Sequence, residues 1–137
     1  MRLVHALIFA LMLPALPGTA APETPLTAQQ FEAYVTGKTL TYAKTGKVWG
    51  TEQYLADRKV RWAFSGEDCR EGYWFEEATD QICFVYDDDG ILQCWQFYQG
   101  RNGGLRARYV NDPAGDYLSE VAQSPEPLGC LGPQVGV

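Results

Sequence analysis

Residues 81–97 read QICFVYDDDGILQCWQF. Two runs rich in β-branched and aromatic residues, QICFVYD (81–87) and LQCWQFY (92–98), flank three aspartates and a glycine, the pattern of two strands joined by a turn. Two turns compete. Asp89-Gly90 is a type I′ signal, and Asp88-Asp89 is the other two-residue loop. The choice matters because it sets which residues face one another. With Asp88-Asp89 as the loop, opposed positions sum to 177 and Cys83 stands across from Cys94, close enough for a disulfide in a non-hydrogen-bonded pair. With Asp89-Gly90 the sum is 179 and Cys83 faces Gln96. The cysteines favour the first register, so Cys83–Cys94 is the expected disulfide and Cys69–Cys130 follows by elimination.

Outward from this hairpin the chain repeats the same grammar. TLTYA (39–43), VWGTEQYL (48–55), VRWAFSG (60–66), CREGYWFEE (69–77) and GLRARYV (104–110) read as strands, each ended by a turn signal such as KTGK, ADRK, ATD or QGRNG. Val60, Trp62 and Phe64 alternate on one face. DYLSEVAQ (116–123) fits either a short helix or an eighth strand. Seven or eight strands about ten residues apart, joined by short connections, make an antiparallel meander, and such a sheet curls shut to remove its edges. The expected fold is therefore mainly β, a small up-and-down barrel or curved sheet.

One helix precedes the strands. In LTAQQFEAYVTG, Thr27 is the N-cap and Gln30 its capping-box partner, while Leu26 and Phe31 form the staple pair. Phe31, Tyr34 and Val35 follow helical spacing and Gly37 ends the run. A helix of about nine residues is marginal alone in water, so its aromatic face must dock on the sheet.

The first residues, MRLVHALIFALMLPALPGTAAPE, have the layout of a secretory signal peptide, with Arg2 before an apolar run and small residues at 18–21. The run is shorter than the ~20 residues that cross a bilayer. Cleavage is expected after Ala20, leaving a linker at 21–26, a single domain at 27–123 and an irregular tail at 124–137, with no membrane anchor after cleavage. All four cysteines lie in the exported part, at spacings of 14, 11 and 36 residues, which suits two structural disulfides in a periplasmic or secreted protein rather than a thiolate metal site. The absence of a C-x-x-C pair speaks against redox chemistry.

The chain has a single histidine, His5, inside the signal segment. The mature protein therefore lacks Ser-His-Asp or Cys-His catalysis and histidine-bound metals. Removing residues 1–20 leaves ten basic and 17 acidic residues, a net charge of −7. Such a surface repels phosphate backbones and anionic membranes, so nucleic-acid binding is not expected.

The remaining candidates are few. Asp87, Asp88 and Asp89 are contiguous rather than alternating, and the distal glutamate of a calcium loop is replaced by Gln96; a turn is the better account and no cofactor is expected. GKT at 37–39 lacks the upstream glycine of a phosphate loop. Glu67, Asp68, Glu71, Glu76, Glu77 and Asp80 do not make a facing carboxylate pair across a cleft. Four tryptophans, eight tyrosines and five mature phenylalanines mainly fill a small barrel. The surplus, together with the basic cluster near the 99–103 loop, gives a candidate ligand or partner patch of Trp74, Trp95, Arg101, Arg106 and Arg108.

The stretch from Tyr54 to Cys94, with VRWAFSGEDCREGYWF, ICFVYDD and QCW, resembles a group of small exported bacterial proteins of unknown function, a resemblance that implies no activity. In size, strand number and export the chain is loosely similar to periplasmic protease inhibitors and lipocalin-like barrels. The inhibitors place a flexible N-terminal strand in the protease cleft, whereas here a capped helix begins at Thr27. The expected role is a non-catalytic binding or interaction module of the cell envelope, for an envelope protein or a small ligand. The alternatives are a carrier of a small apolar ligand, using the barrel mouth under the helix, and a protease inhibitor.

Overall fold

The computed structural model describes residues 23–130; the expected signal peptide and residues 131–137 lie outside them. Helix α1 spans Ala28–Val35, and its capping box is formed: Gln30 N–H donates to Thr27 Oγ1 at 3.2 Å and Thr27 N–H to Gln30 Oε1 at 2.9 Å. Gly37, at φ +81°, turns the chain out of the helix in the left-handed conformation that glycine adopts without strain.

Eight strands follow: β1 (Thr39–Lys44), β2 (Lys47–Tyr54), β3 (Lys59–Phe64), β4 (Arg70–Ala78), β5 (Gln81–Tyr86), β6 (Gln93–Gln99), β7 (Leu105–Tyr109) and β8 (Leu118–Ser124). They pair antiparallel in sequence order and β8 returns to β1, closing the barrel. The segment that fitted helix or strand is thus a strand. As a helix it would have left β1 and β7 with open edges; as β8 it pairs with β1 from Thr39↔Ser124 to Lys44↔Leu118. Register shifts at Tyr42/Ala43 and Glu76/Ala78 are bulges of the kind that sharpen twist and help a sheet close.

The register of the deciding hairpin is as expected, with Ile82↔Trp95, Cys83↔Cys94 and Phe84↔Gln93. The turn is not. Instead of a two-residue tip, residues 87–92 form a wider loop, in which Gly90 N–H donates to Tyr86 O at 2.9 Å. The wider loop brings Asp88 to Arg70 at 3.0 Å and lets Asp89 Oδ1 accept from Ile91 N–H at 2.8 Å, so each of these neighbouring carboxylates has a close partner. The register is held by the ladder and the disulfide rather than by the tip.

Disulfides join Cys83 to Cys94, with Cα atoms 4.0 Å apart, and Cys69 to Cys130, at 5.4 Å. The second pins a strap. After β8 the chain doubles back over the outer wall, where Thr39 Oγ1 donates to Glu126 O at 2.7 Å and Leu128 N–H to Gln53 Oε1 at 3.1 Å, before reaching Cys69 at the start of β4. The segment expected as a linker is also docked where it is described. Leu26 N–H donates to Phe97 O at 2.7 Å and Glu23 pairs with Arg106 at 2.9 Å. Backbone groups near a sheet need partners, and these residues find theirs on the barrel.

Helix α1 plugs one end. Phe31 is fully buried, with its ring edge-on to Tyr54 and Trp74 at centroid separations of 5.7 and 5.1 Å, and 4.3 Å from Phe97. Val35 and Ala28 complete the buried stripe. The opposite end of the barrel carries the β1–β2, β3–β4, β5–β6 and β7–β8 connections.

Candidate ligand site in the barrel lumen

The lumen is not filled throughout. At the end opposite α1 a cavity of about 60 Å³ runs inward between Tyr42, Glu52, Trp62, Phe84 and Tyr86. It shares Trp49, Gln93, Trp95 and Leu118 with an outer vestibule of about 280 Å³ whose lip includes Lys44, Asp112 and Asp116. Access is therefore at the far end, not under the helix as expected for a carrier; the Phe31 plug occupies that end.

Glycines shape the inner chamber. A Cβ at Gly50 would lie 2.6 Å from Ala63 O and would collide with the Trp62 indole, so the six-membered ring of the indole occupies the space a side chain would take here. At Gly72, paired with Tyr86, a Cβ would come within 2.9 Å of Tyr86 Cδ1. The missing side chain lets the Tyr86 ring lean inward. Its hydroxyl donates to Glu52 Oε2 at 2.9 Å.

Glu52 is the polar centre of the chamber. It is 2% exposed, and its Oε1 has no hydrogen-bond partner among the described residues. Burial pushes its carboxyl well above the usual carboxylate range, with the Tyr86 bond pulling the other way. Tyr42 and Tyr54, whose hydroxyls meet at 3.0 Å, are likewise raised well above an ordinary tyrosine, chiefly by burial. Glu52 is thus a buried carboxyl that holds its proton to higher pH than an ordinary glutamate, in the lining of an aromatic cavity.

The second buried carboxyl behaves differently. Glu120 Oε2 accepts from Tyr34 O–H at 2.9 Å and from Leu105 N–H at 2.8 Å, tying α1 and β7 to β8. Burial and this bond push the Tyr34 hydroxyl up to about 12. Glu120 is a satisfied structural group, and Glu52 is not.

The five residues expected as one patch are not brought together. Trp74 is 2% exposed and packs inside against Phe31, with Arg58 over its outer ring face at 4.6 Å. Trp95 also faces inward but lines the cavity. Arg106 and Arg108 lie on the outer wall: Arg106 pairs with Glu23 and stacks on Tyr117 at 4.1 Å, and Arg108 donates to Gln96 Oε1 at 2.6 Å and Tyr98 O–H at 2.8 Å. Arg101 is exposed in the loop at the helix end. Barrel walls separate the inward tryptophans from the outward arginines. Asp87, Asp88 and Asp89 stand in the β5–β6 loop, where Arg70 takes Asp88 and lies 3.9 Å from Asp89; among the described residues no group of three metal-ligating side chains converges.

Sequence reasoning missed Glu52. Its signal was the alternation of β2, where Gly50, Glu52 and Tyr54 share one face; a glutamate in phase with a buried tyrosine marks an inward charge. Comparison with protein-family models, curated proteins and solved structures finds no match to this chain. The closed eight-stranded barrel is compatible with a loose likeness to other small β-barrels.

Proposed function

We propose that the protein is an exported, non-catalytic binding protein of the cell envelope that holds a small, largely apolar ligand in the open end of its barrel. The observation that carries this reading is the aromatic cavity around Glu52, continuous with a vestibule at the end that α1 leaves open. Small-ligand sites are concave and mostly apolar, with a few placed polar groups, and this chamber fits that description. Two disulfides suit an oxidising compartment, and no described helix is long and apolar enough to cross a membrane. The inhibitor reading draws less support, because residues 23–26 are bound to the barrel rather than free to enter a cleft.

A specific observation favours a second reading, a protein partner at the same end. Val48, Trp49, Ile91 and Leu92 are exposed on the two hairpins beside the mouth. The test separates the two. In a two-dimensional NMR spectrum the four indole N–H signals are titrated with 2-phenylethanol at millimolar concentration. Binding in the lumen shifts Trp49, Trp62 and Trp95 and leaves Trp74 in place. No shift, or equal movement of all four, overturns the lumen reading.

A further inference from the structure

Resting on the lumen reading, we infer that the ligand is a protonated amine on a compact aromatic or aliphatic body, with its ammonium group received by Glu52 in its aromatic surroundings. A buried carboxyl oxygen without a partner is costly, and the same barrel gives Glu120 both a hydroxyl and a backbone donor. Glu52 is one of the side chains that line the cavity, its Oε1 is buried without a partner, and a ligand N–H that reaches it is the donor that would complete it.

The charge of the ligand follows from what lines the chamber around Glu52. From β1 and β2 come the Tyr42 and Tyr54 hydroxyls, already paired with each other, and from β5 the Tyr86 hydroxyl on Oε2. Trp62 from β3 and Trp95 and Phe97 from β6 add rings, and Ala107 and Leu118 from β7 and β8 add apolar surface. Glu120 on β8 contributes a further negative charge toward Tyr42. The single cation lining the chamber among the described residues is Arg70 on β4, and it is occupied. It lies 3.0 Å from Asp88, 3.9 Å from Asp89 and 3.7 Å from Glu67, with its guanidinium over Phe64 at 5.0 Å. Three carboxylates around one guanidinium leave that rim net negative. At the vestibule lip Asp112 and Asp116 outnumber Lys44, whose ammonium already sits over Trp49 at 5.5 Å.

An anionic ligand would meet Glu52 with no free cation to balance it. A cation meets a carboxyl that can ionise to pair with it, an acidic approach and an aromatic lining, each of which favours positive charge. Receiving it requires Glu52 to lose its proton, so binding releases a proton and strengthens as pH rises. Size is consistent with a small head group. At ~10–15 Å³ for one water-sized occupant, the inner chamber of about 60 Å³ takes an ammonium and its first carbons, and the vestibule takes the rest.

The experiment titrates the intact disulfide-bonded protein with phenethylammonium, 2-phenylethanol and phenylacetate, which share a ring and differ in charge, by calorimetry and indole N–H shifts. Phenethylammonium is expected to bind at least tenfold more tightly than the alcohol, with phenylacetate weakest, and its affinity should rise from pH 5 to pH 8. Glu52→Gln should abolish the amine's advantage over the alcohol. Trp49→Leu, on the exposed rim, gives a second variant that does not touch the buried cluster and should weaken the amine more than the alcohol. Equal affinity for amine and alcohol in the wild type, or an amine preference that survives Glu52→Gln, overturns the amine inference and leaves the lumen reading standing. Failure of all three compounds to shift Trp49, Trp62 and Trp95 overturns both.

Discussion

Across the lumen from β5 to β2, the Tyr86 hydroxyl donates to Glu52 Oε2 at 2.9 Å, while Glu52 Oε1 has no hydrogen-bond partner among the described residues. One bond does not offset the cost of burying a charge, so the folded protein keeps a proton on Glu52 that the unfolded chain gives up near pH 4.5. The folded state binds more protons above that pH. The contribution of Glu52 to stability is therefore complete below about pH 4.5 and is lost as pH rises toward the folded value. Glu52→Gln keeps the shape and removes the titration. Urea unfolding of both proteins from pH 4 to pH 8 should show the variant gaining on the wild type as pH rises. Parallel curves would mean that Glu52 is ionised in the fold or that it is not buried there.

One ring seats the helix in the end of the barrel. Phe31 is fully buried and meets Tyr54, Trp74, Phe84 and Phe97, so Phe31→Ala leaves a cavity at the plugged end. The expected loss is about 3–5 kcal/mol, read by chemical denaturation. Tyr34 and its bond to Glu120 would remain, so amide exchange should distinguish a loosened helix from a lost one. Unchanged stability would mean that α1 is not the closure of the barrel.

These features differ in how visible they are in the sequence. The capping box, the strand runs and the Cys83–Cys94 register are local, set by residues within a few positions or across one turn. Closure is not local: β8 is a strand because β1 and β7 need its edge, and nothing within Leu118–Ser124 states that. Trp74 illustrates the phase problem. Alternation says that Trp74 and Phe75 face opposite ways, but which one faces inward follows from the Gly72↔Tyr86 and Trp74↔Phe84 pairing with β5. Glu52 is marked only by the alternation of β2, and its partner Tyr86 lies three strands away.

The two disulfides constrain unlike regions. Cys83–Cys94 closes a separation of 11 residues and Cys69–Cys130 one of 61, worth about 3 and 4 kcal/mol respectively by unfolded-chain entropy. The longer one holds only the strap in the fold, whereas the shorter one spans a β5–β6 ladder of three residue pairs beside the mouth. Replacing Cys69 and Cys130 by alanine should lower stability and raise amide exchange in 125–130 with little change at the cavity. Replacing Cys83 and Cys94 should also shift the Trp95 indole signal. An unmoved Trp95 would mean that the ladder alone holds that edge of the site.

Gly72 tests the geometry that delivers Tyr86 to Glu52. A methyl there would come within 2.9 Å of the Tyr86 ring and would also meet the Val85 carbonyl, which belongs to the backbone and yields little. Gly72→Ala should therefore cost about 1–3 kcal/mol, as overpacking does, and should displace the ring from Glu52. Gly129→Ala is the control, since that site is exposed with no atom near the added methyl, and its effect should stay within about 0.5 kcal/mol. Loss of the Tyr86 bond removes the one interaction that lowers the Glu52 carboxyl, so the variant's stability should fall more steeply than the wild type's as pH rises from 5 to 8. A Gly72→Ala protein as stable as the wild type, with the same pH dependence, would show that the Tyr86 ring does not depend on the gap at Gly72.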